Sequence, residues 1–433
     1  MMSTIAASLS ERIKAEARAL GFDLVGIAPV RRSDHGEFYR RWLAAGRHGE
    51  MAYLAREDAV ARRLDPAAAW PELRSAVVVG HNYFPGGAGE GKFEREARER
   101  GVRAAGADAP ASAREGDAAA DPARAVIARY ARGRDYHKVM KKKLLALLRW
   151  IEGEVGRELP AARAYVDTGP VLERELARRA GLGWFGQNTL LIHPRRGSYF
   201  FLGSLLLELE LECDAPFEAD RCGTCSACVD ACPTGALLGR DADGAPVIDA
   251  TRCISYLTIE NRGPIPRELR PAIGNRIFGC DICQEVCPWN GPKFVQLTRE
   301  PAFAARRPGE PPQAVEHLDG DAWHPGPDSA LLVELMAMDE AAWESFSRGS
   351  PIRRAKRAGF LRNVAVALGN WGSPEAVPVL VRALADPEPL VRGHAAWALG
   401  RIDSPEARDA LSSRIPVEAD AWVREELELA LSG

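Results

Sequence analysis

Eight of the nine cysteines in this 433-residue chain stand at spacings that could hold iron–sulfur clusters. Cys222, Cys225, Cys228 and Cys232 form a Cys-x2-Cys-x2-Cys-x3-Cys run closed by Pro233. This is the bacterial spacing for cluster ligation. Two-residue gaps curl the backbone around a cube, so three thiolates reach three irons while the fourth points toward a second cube. The proline stops the turn from winding on as a helix. A second run, Cys280, Cys283 and Cys287 before Pro288, is one thiol short, and Cys253 between the runs supplies it. The crossed assignment gives one [4Fe–4S] cluster to Cys222, Cys225, Cys228 and Cys287, and the other to Cys232, Cys253, Cys280 and Cys283. Zinc sites usually pair two Cys-x2-Cys knuckles, and disulfides are rare in the cytosol. Cys213 is left over and is expected to be a plain buried thiol.

Two clusters alone make an electron carrier, which needs neither the long segment in front of them nor the one behind. Electrons are therefore expected to reach a cofactor held by the first part of the chain. Neither Gly-x-Gly-x-x-Gly after the early strands nor a phosphate-binding Gly-x4-Gly-Lys-Ser/Thr loop is present, which argues against a dinucleotide or nucleoside triphosphate site. Asp135-Tyr-His137-Lys-Val-Met140 approaches the Asp-x-His-x-x-Gly signature of histidine-ligated cobalamin, but Met140 stands where glycine is required.

The elements that must position these residues can be read from periodicity. Residues 3–20 carry Ile5, Leu9, Ile13, Ala17 and Leu20 on one helical face, ended by Gly21. Phe22–Ala28 and Ser75–Tyr83 read as buried strands. Residues 86–122, rich in Gly, Ala, Asp, Glu and Arg, read as a mobile surface insertion. A helix after His137 turns Val139, Met140, Leu144, Leu147, Leu148 and Ile151 inward and Lys141, Lys142 and Lys143 outward. A strand at 164–166 ends in the polar turn Asp167-Thr-Gly-Pro170, and a helix is expected to start at that proline. Interleaved strands and helices predict an α/β domain over residues 1–210, followed by a ferredoxin-like two-cluster domain over 211–300. Residues 301–433 should form an all-α domain. There Leu368–Ala376 resembles Leu399–Ala407, and Val391–Leu399 resembles Val423–Leu431, a period of HEAT-like helical hairpins.

The net charge of -3 confines any nucleic-acid surface to a local patch. No apolar run is long enough to span a bilayer. The N-terminus lacks a signal peptide's apolar region, and Arg31-Arg32 is followed by polar residues, so a cytoplasmic location, without membrane attachment, is expected.

The cluster runs, Asp135-Tyr-His137, Val166–Arg174, Gly183–Thr189 and Gly349–Asn363 together resemble the epoxyqueuosine reductase family over nearly the whole chain except 86–122. The resemblance implies reduction of epoxyqueuosine to queuosine at the wobble position of tRNA, the last step of queuosine biosynthesis. It further implies base-off cobalamin fed by two [4Fe–4S] clusters, a core similar to reductive dehalogenases, and an external electron donor of unidentified nature. It makes Asp167 the proton donor, and a desolvated carboxyl there would have its pKa raised so as to hold a proton near neutral pH. The alternative role for Asp167 is capping the following helix. Arg63 is implied as a cobalamin contact, with Asp167, Tyr130, Asn188, Ser198, Asp281, Ile282 and Gln284 as further candidates; the 281–284 segment would bring the second cluster close to the corrin. Arg353, Arg354, Lys356, Arg357 and Arg362 form a candidate surface for the tRNA anticodon arm, and Lys141–Lys143 a second basic group. A monomer is expected. Competing readings are a reductive dehalogenase acting on a small molecule and a non-catalytic iron–sulfur electron-transfer protein.

Overall fold

The strand Ser75–Asn82 is buried along its entire length, and the first half of the molecule is built around it. The structure, a computed structural model, describes residues 8–85, 121–304 and 330–432. Residues 86–120 of the expected insertion, and Ile5 of the first helix, lie outside the described residues. The strand is the second in a four-stranded sheet ordered Leu24–Pro29, Ser75–Asn82, Phe200–Leu207, Arg163–Tyr165. Period-two alternation sends Val77 and Val79 to one face and Ala76 and Val78 to the other. The helices Leu9–Ala19 and Tyr136–Val155 cover the first face through Ile13, Ala17, Met140, Leu144 and Leu147. Leu176 and Ala177 of the helix Glu173–Arg179 cover the second. That helix comes so close that a Cβ on Gly26 would stand 2.1 Å from the Ala180 carbonyl oxygen.

The α/β expectation needs refinement, because every neighbouring pair in this sheet is antiparallel. The helix Tyr136–Val155 does connect two strands of the same direction, Ser75–Asn82 and Arg163–Tyr165, but Phe200–Leu207 is inserted between them antiparallel to both, so no hydrogen-bonded neighbours are parallel. The helix expected at Pro170 begins three residues later, at Glu173, after a polar bend.

The cysteine runs lie on short helical turns, Ala227–Asp230 and Ile282–Glu285, with a hairpin of Leu237–Arg240 and Pro246–Ile248 between them. A short parallel pairing of Arg276–Phe278 with Val126–Ile127 ties this region to the first. The C-terminal part is helical. Lys356–Trp371, Pro389–Ile402 and Ala421–Ser432 stack as successive inner helices. Small residues permit the approach at equivalent positions: a Cβ on Gly369 would stand 2.9 Å from the Ala398 Cα, and one on Gly400 would stand 2.8 Å from the Ala430 Cα. Among the described residues, no helix is long and apolar enough to cross a membrane.

One apolar core runs through both the cysteine region and the helical stack, joining Ile254, Leu257, Ile277 and Phe278 to Phe360, Val364 and Leu368. Buried arginines seal the joint. The Arg270 guanidinium meets the Glu426 carboxylate at 2.6 Å, with both side chains almost fully enclosed. Arg362 is 1% exposed and donates to the carbonyls of Leu257, Asn261 and Gly263 at 2.6–2.8 Å. This corrects its expected place on an RNA surface: a guanidinium sealed against three carbonyls cannot reach a phosphate.

Loss of the Arg362 side chain leaves buried acceptors unmet, each costing about 1–3 kcal/mol. Arg362→Ala should therefore lower stability by at least about 3 kcal/mol in chemical denaturation. The exposed Arg353→Ala should cost less than about 1 kcal/mol.

Candidate active site and cluster sites

The chain leaves the edge strand at Tyr165 and turns sharply at Asp167, where φ is +60°. The Thr168 N–H donates to the Val166 carbonyl at 2.6 Å, closing a γ-turn of the rare, strained hand around Asp167. Gly169 follows because the bend folds onto Tyr165: a Cβ there would stand 2.4 Å from its ring. The turn presents the Asp167 carboxylate to the first turn of the helix Tyr136–Val155. Tyr136 donates its hydroxyl to Oδ2 at 3.1 Å, and His137 Nε2 lies 3.3 Å from the same oxygen. Behind them, Asp135 caps that helix through the His137 N–H and meets His137 Nδ1 at 2.8 Å. Tyr136 is locked flat against Phe201, with centroids 4.1 Å apart and the planes 5° from parallel.

This geometry sets where protons reside. Burial disfavours charge on His137, but hydrogen bonds to Asp135 and Asp167 outweigh it and raise its pKa to about 9. Burial pushes Asp167 up, yet the bonds from His137 and Tyr136 prevail and hold it below the ordinary carboxylate range. The expected upward shift of Asp167 is thus reversed: the proton rests on His137, one hydrogen bond away. Glu173 is pushed up to about 8, by burial first and then by the Asp167 charge. Asp167 does not cap the following helix, whose N-cap is Leu172.

Asp167, Glu173 and Arg63 line one cavity of about 690 Å³ with Val171, Leu172 and Phe185. Arg63 is buried, with its guanidinium 6.0 Å from the Tyr39 ring centroid, so it is no solvated surface arginine. The other expected cofactor contacts are not among the cavity's lining residues. Gln284 donates to the Ser198 hydroxyl at 3.1 Å and to its carbonyl at 3.2 Å, and both residues are buried. Asp281 is buried and accepts the Arg129 N–H at 2.7 Å. Ile282 opens the short turn after it, half-buried. Tyr130 stands behind Tyr136, with ring centroids 6.1 Å apart. Asn188 lines a different cavity and donates to the Cys283 carbonyl. Internal hydrogen bonds occupy the polar groups of Gln284, Ser198, Asp281 and Asn188.

That second cavity, about 360 Å³, is lined by Cys222, Cys225, Cys228 and Cys287, three thiols from the first run and one from the second. Among the described residues, no group of three His, Cys, Asp or Glu could hold a single metal ion. Thiols surrounding a cavity suit a polynuclear cluster instead. Burial pushes the Cys228 thiol up to about 11, with Cys287 and Cys222 adding to it. Cys280, Cys283 and Cys253 are likewise raised by burial; Cys253 adds to the shift of both Cys280 and Cys283, and Cys232 to that of Cys253. Crowded, desolvated thiols of this kind stay protonated until a cationic centre replaces the protons. Trp184 stands between the two cavities, lining the larger one and donating its indole N–H to Cys222 Sγ at 3.5 Å. Among the described residues, Trp184 thus makes a contact between the first ligand set and the large cavity, a role that spacing did not assign to it. Cys213 is exposed, contrary to expectation.

Of the basic group, Arg353, Arg354 and Lys356 are exposed. Arg353 forms a two-pronged pair with Glu344, and Arg354 one with Glu260. Arg357 is largely covered and pairs with Asp386 at 2.7 Å. Lys143 is drawn inward to Glu300 and His81, whereas Lys141 and Lys142 remain exposed.

Fold and thiol geometry define an iron–sulfur protein carrying a helical repeat array, and family models agree. Residues 221–290 match a 4Fe-4S double cluster binding domain, and residues 353–432 match HEAT repeats. Residues 63–168, which end just past Asp167, match the model described as epoxyqueuosine reductase QueG, DUF1730. The epoxyqueuosine reductase of Pseudomonas aeruginosa is 41% identical over 398 residues, covering 91% of this chain and 95% of that protein. The Escherichia coli enzyme of the same name is 36% identical over 91% of this chain and 89% of its own length. The chain belongs to the epoxyqueuosine reductase family. A solved epoxyqueuosine reductase in complex with an epoxyqueuosine-modified tRNA-Tyr stem loop superposes with a TM-score of 0.77 at 28% identity, over 98% of both chains. The Bacillus subtilis enzyme, solved with its catalytic aspartate loop swung out of the active site, gives 0.76 at 27% identity, again over 98% of both.

The crossed ligand set has a direct check. Anaerobically reconstituted protein should hold about eight irons per chain, falling toward about four when Cys253→Ser removes one ligand. Cys213→Ala should leave the iron content unchanged.

Proposed function

We propose that the large cavity is where epoxyqueuosine at the tRNA wobble position is reduced to queuosine, with Asp167 delivering the proton. The observation that carries this reading is the Asp167 carboxylate, set on the cavity wall and hydrogen-bonded to a protonated His137. Removing an epoxide oxygen to leave an alkene takes two electrons and two protons and releases water. The transferred oxygen must be protonated as it leaves, which is general acid work. Asp167 faces the cavity as a carboxylate and His137 stands behind it holding the proton, so the proton moves from Nε2 through the Asp167 carboxylate to the leaving oxygen, with Asp135 stabilising the imidazolium beforehand and solvent supplying the second proton of the released water.

The cavity also fits cobalamin in character. Apolar Val171, Leu172 and Phe185 would pack against a flat macrocycle, while Arg63 meets its polar edge. Cobalamin held there would supply a low-valent cobalt reductant for the epoxide. Trp184 supports electron delivery from the cluster held by Cys222, Cys225, Cys228 and Cys287, which an external donor must refill.

In this reading residues 1–210 carry the reaction, 211–300 the electrons and 301–433 the tRNA contact, in a cytoplasmic monomer. Arg353, Arg354 and Lys356 remain as the phosphate-facing group, and Tyr53, 43% exposed with its ring 5.9 Å from the Arg354 guanidinium, lies beside them. Surface pairs such as Arg354 with Glu260 contribute little stability, so exchange for a phosphate is inexpensive. The extruded base would follow general base-flipping logic.

Changing Arg353, Arg354 and Lys356 together to Ala should weaken stem-loop binding and reduce the slope of log affinity against log salt by about 2–3. Cluster spectra should not change.

Asp167→Asn keeps size and hydrogen bonding but cannot cycle a proton. Its turnover should fall by roughly 10²–10⁴-fold, with tRNA binding and iron content retained. In the unsubstituted protein turnover should decline as pH rises through about 9, where His137 loses its proton. Wild-type turnover in Asp167→Asn would remove it from the chemistry.

A further inference from the structure

The Asp167 turn is exposed on its outer side and held in a conformation that side-chain-bearing residues resist. A positive φ at a non-glycine residue costs on the order of 1 kcal/mol, so some contact must keep the turn closed. His137 and Tyr136 hold the carboxylate, but they grip only the tip of a side chain. The backbone is held from elsewhere. The Asp167 N–H donates to Oε1 of Glu173 at 2.8 Å. Glu173 is the first residue of the helix Glu173–Arg179, which is fixed by buried Leu176, Ala177 and the Glu175–Arg179 ion pair. Its side chain thus reaches back from a packed helix to the turn that carries the acid.

We propose that Glu173 is a positioning residue that latches the Asp167 loop: its oxygen accepts the Asp167 backbone N–H and holds the strained turn in its working position. The latch needs an acceptor, not a charge. Glu173 lies beside the Asp167 carboxylate, and a second full negative charge would push the acid away. The upward shift of the Glu173 carboxyl, from burial and then from the Asp167 charge, fits a neutral acceptor at neutral pH. Without the latch, the γ-turn loses the hydrogen bond that offsets its strain, and the loop leaves the cavity wall.

This inference rests on the reading of Asp167 as the proton donor, so its test includes a readout that needs no turnover. Hydrogen–deuterium exchange of the 165–169 segment is followed in cluster-loaded protein without substrate, for the parent, Glu173→Gln, Glu173→Leu and Glu173→Asp. Glutamine keeps an oxygen in place; leucine removes the acceptor; aspartate keeps the acid but draws the oxygen back by one methylene. Exchange at the Asp167 amide should match the parent in Glu173→Gln and quicken about 3- to 10-fold in Glu173→Leu and Glu173→Asp, the worth of one hydrogen bond. In turnover with the epoxyqueuosine-containing stem loop, Glu173→Gln should stay within about twofold, while the other two lose about 10- to 100-fold in kcat with KM unchanged, as misplaced catalytic groups do. Iron content and thermal midpoint identify any variant that fails to fold, and Glu173→Asp carries the test if Glu173→Leu does. A Glu173→Gln variant as slow as Glu173→Leu would overturn the latch in favour of a proton-handling role. Unaltered amide exchange in Glu173→Asp would overturn it outright, whatever the turnover.

Discussion

The carboxylate of Asp167 must face a cavity from a backbone turn that L-residues resist, and much of the surrounding structure answers that constraint. The acid cannot sit within the sheet, where alternation would bury it or turn it to solvent. It sits just beyond the edge strand, where a γ-turn at φ +60° swings it toward the helix Tyr136–Val155. That helix must then start at the right place, and Asp135 ensures this by capping it and fixing the ring beside it. Phe201 from the central sheet locks Tyr136 from behind. The sheet, the helix start and the polar bend thus converge on one oxygen, Oδ2 of Asp167.

A second dependence links the cysteine region to the helical repeats. The two share an apolar core, with Arg270 and Arg362 buried across the joint and spent on Glu426 and on backbone carbonyls. Charges so deeply enclosed are held by several hydrogen bonds each, and such an interface resists relative motion. At the entry to the repeats Arg354 pairs with Glu260 of the cysteine region, and its charge helps hold Asp167 low. In the proposed function, a substrate strand gripped at this entry would be presented to the Asp167 cavity.

Some of this was legible in the residues. Cysteine spacing announces clusters because ligand geometry is local, and Cys287 lines one cavity with Cys222, Cys225 and Cys228 as the crossed reading expects. The repeat was readable from Leu368–Ala376 against Leu399–Ala407, since each hairpin solves the same packing problem. Asp167 became a candidate only through family resemblance. What could not be read depended on distant partners. Arg362 looks like part of a basic run, but its neighbours Arg353 and Arg354 point outward while helical rotation turns Arg362 onto the carbonyls of another element. The pKa of Asp167 depends on His137, thirty residues earlier, and the role of Trp184 on a thiol thirty-eight residues later. Antiparallel pairing of the sheet leaves no trace in an alternating apolar pattern.

The central claim is that the Asp167 cavity joins cobalamin chemistry to the clusters on a tRNA substrate. The most direct measurement is nucleoside analysis by mass spectrometry after anaerobic incubation of cluster-loaded protein with an epoxyqueuosine-containing stem loop and excess reductant, with and without cobalamin. The account predicts queuosine only when cobalamin is present, together with a base-off cobalamin spectrum. Queuosine formed equally without cobalamin, or none formed by protein that holds both clusters and cobalamin, would contradict it.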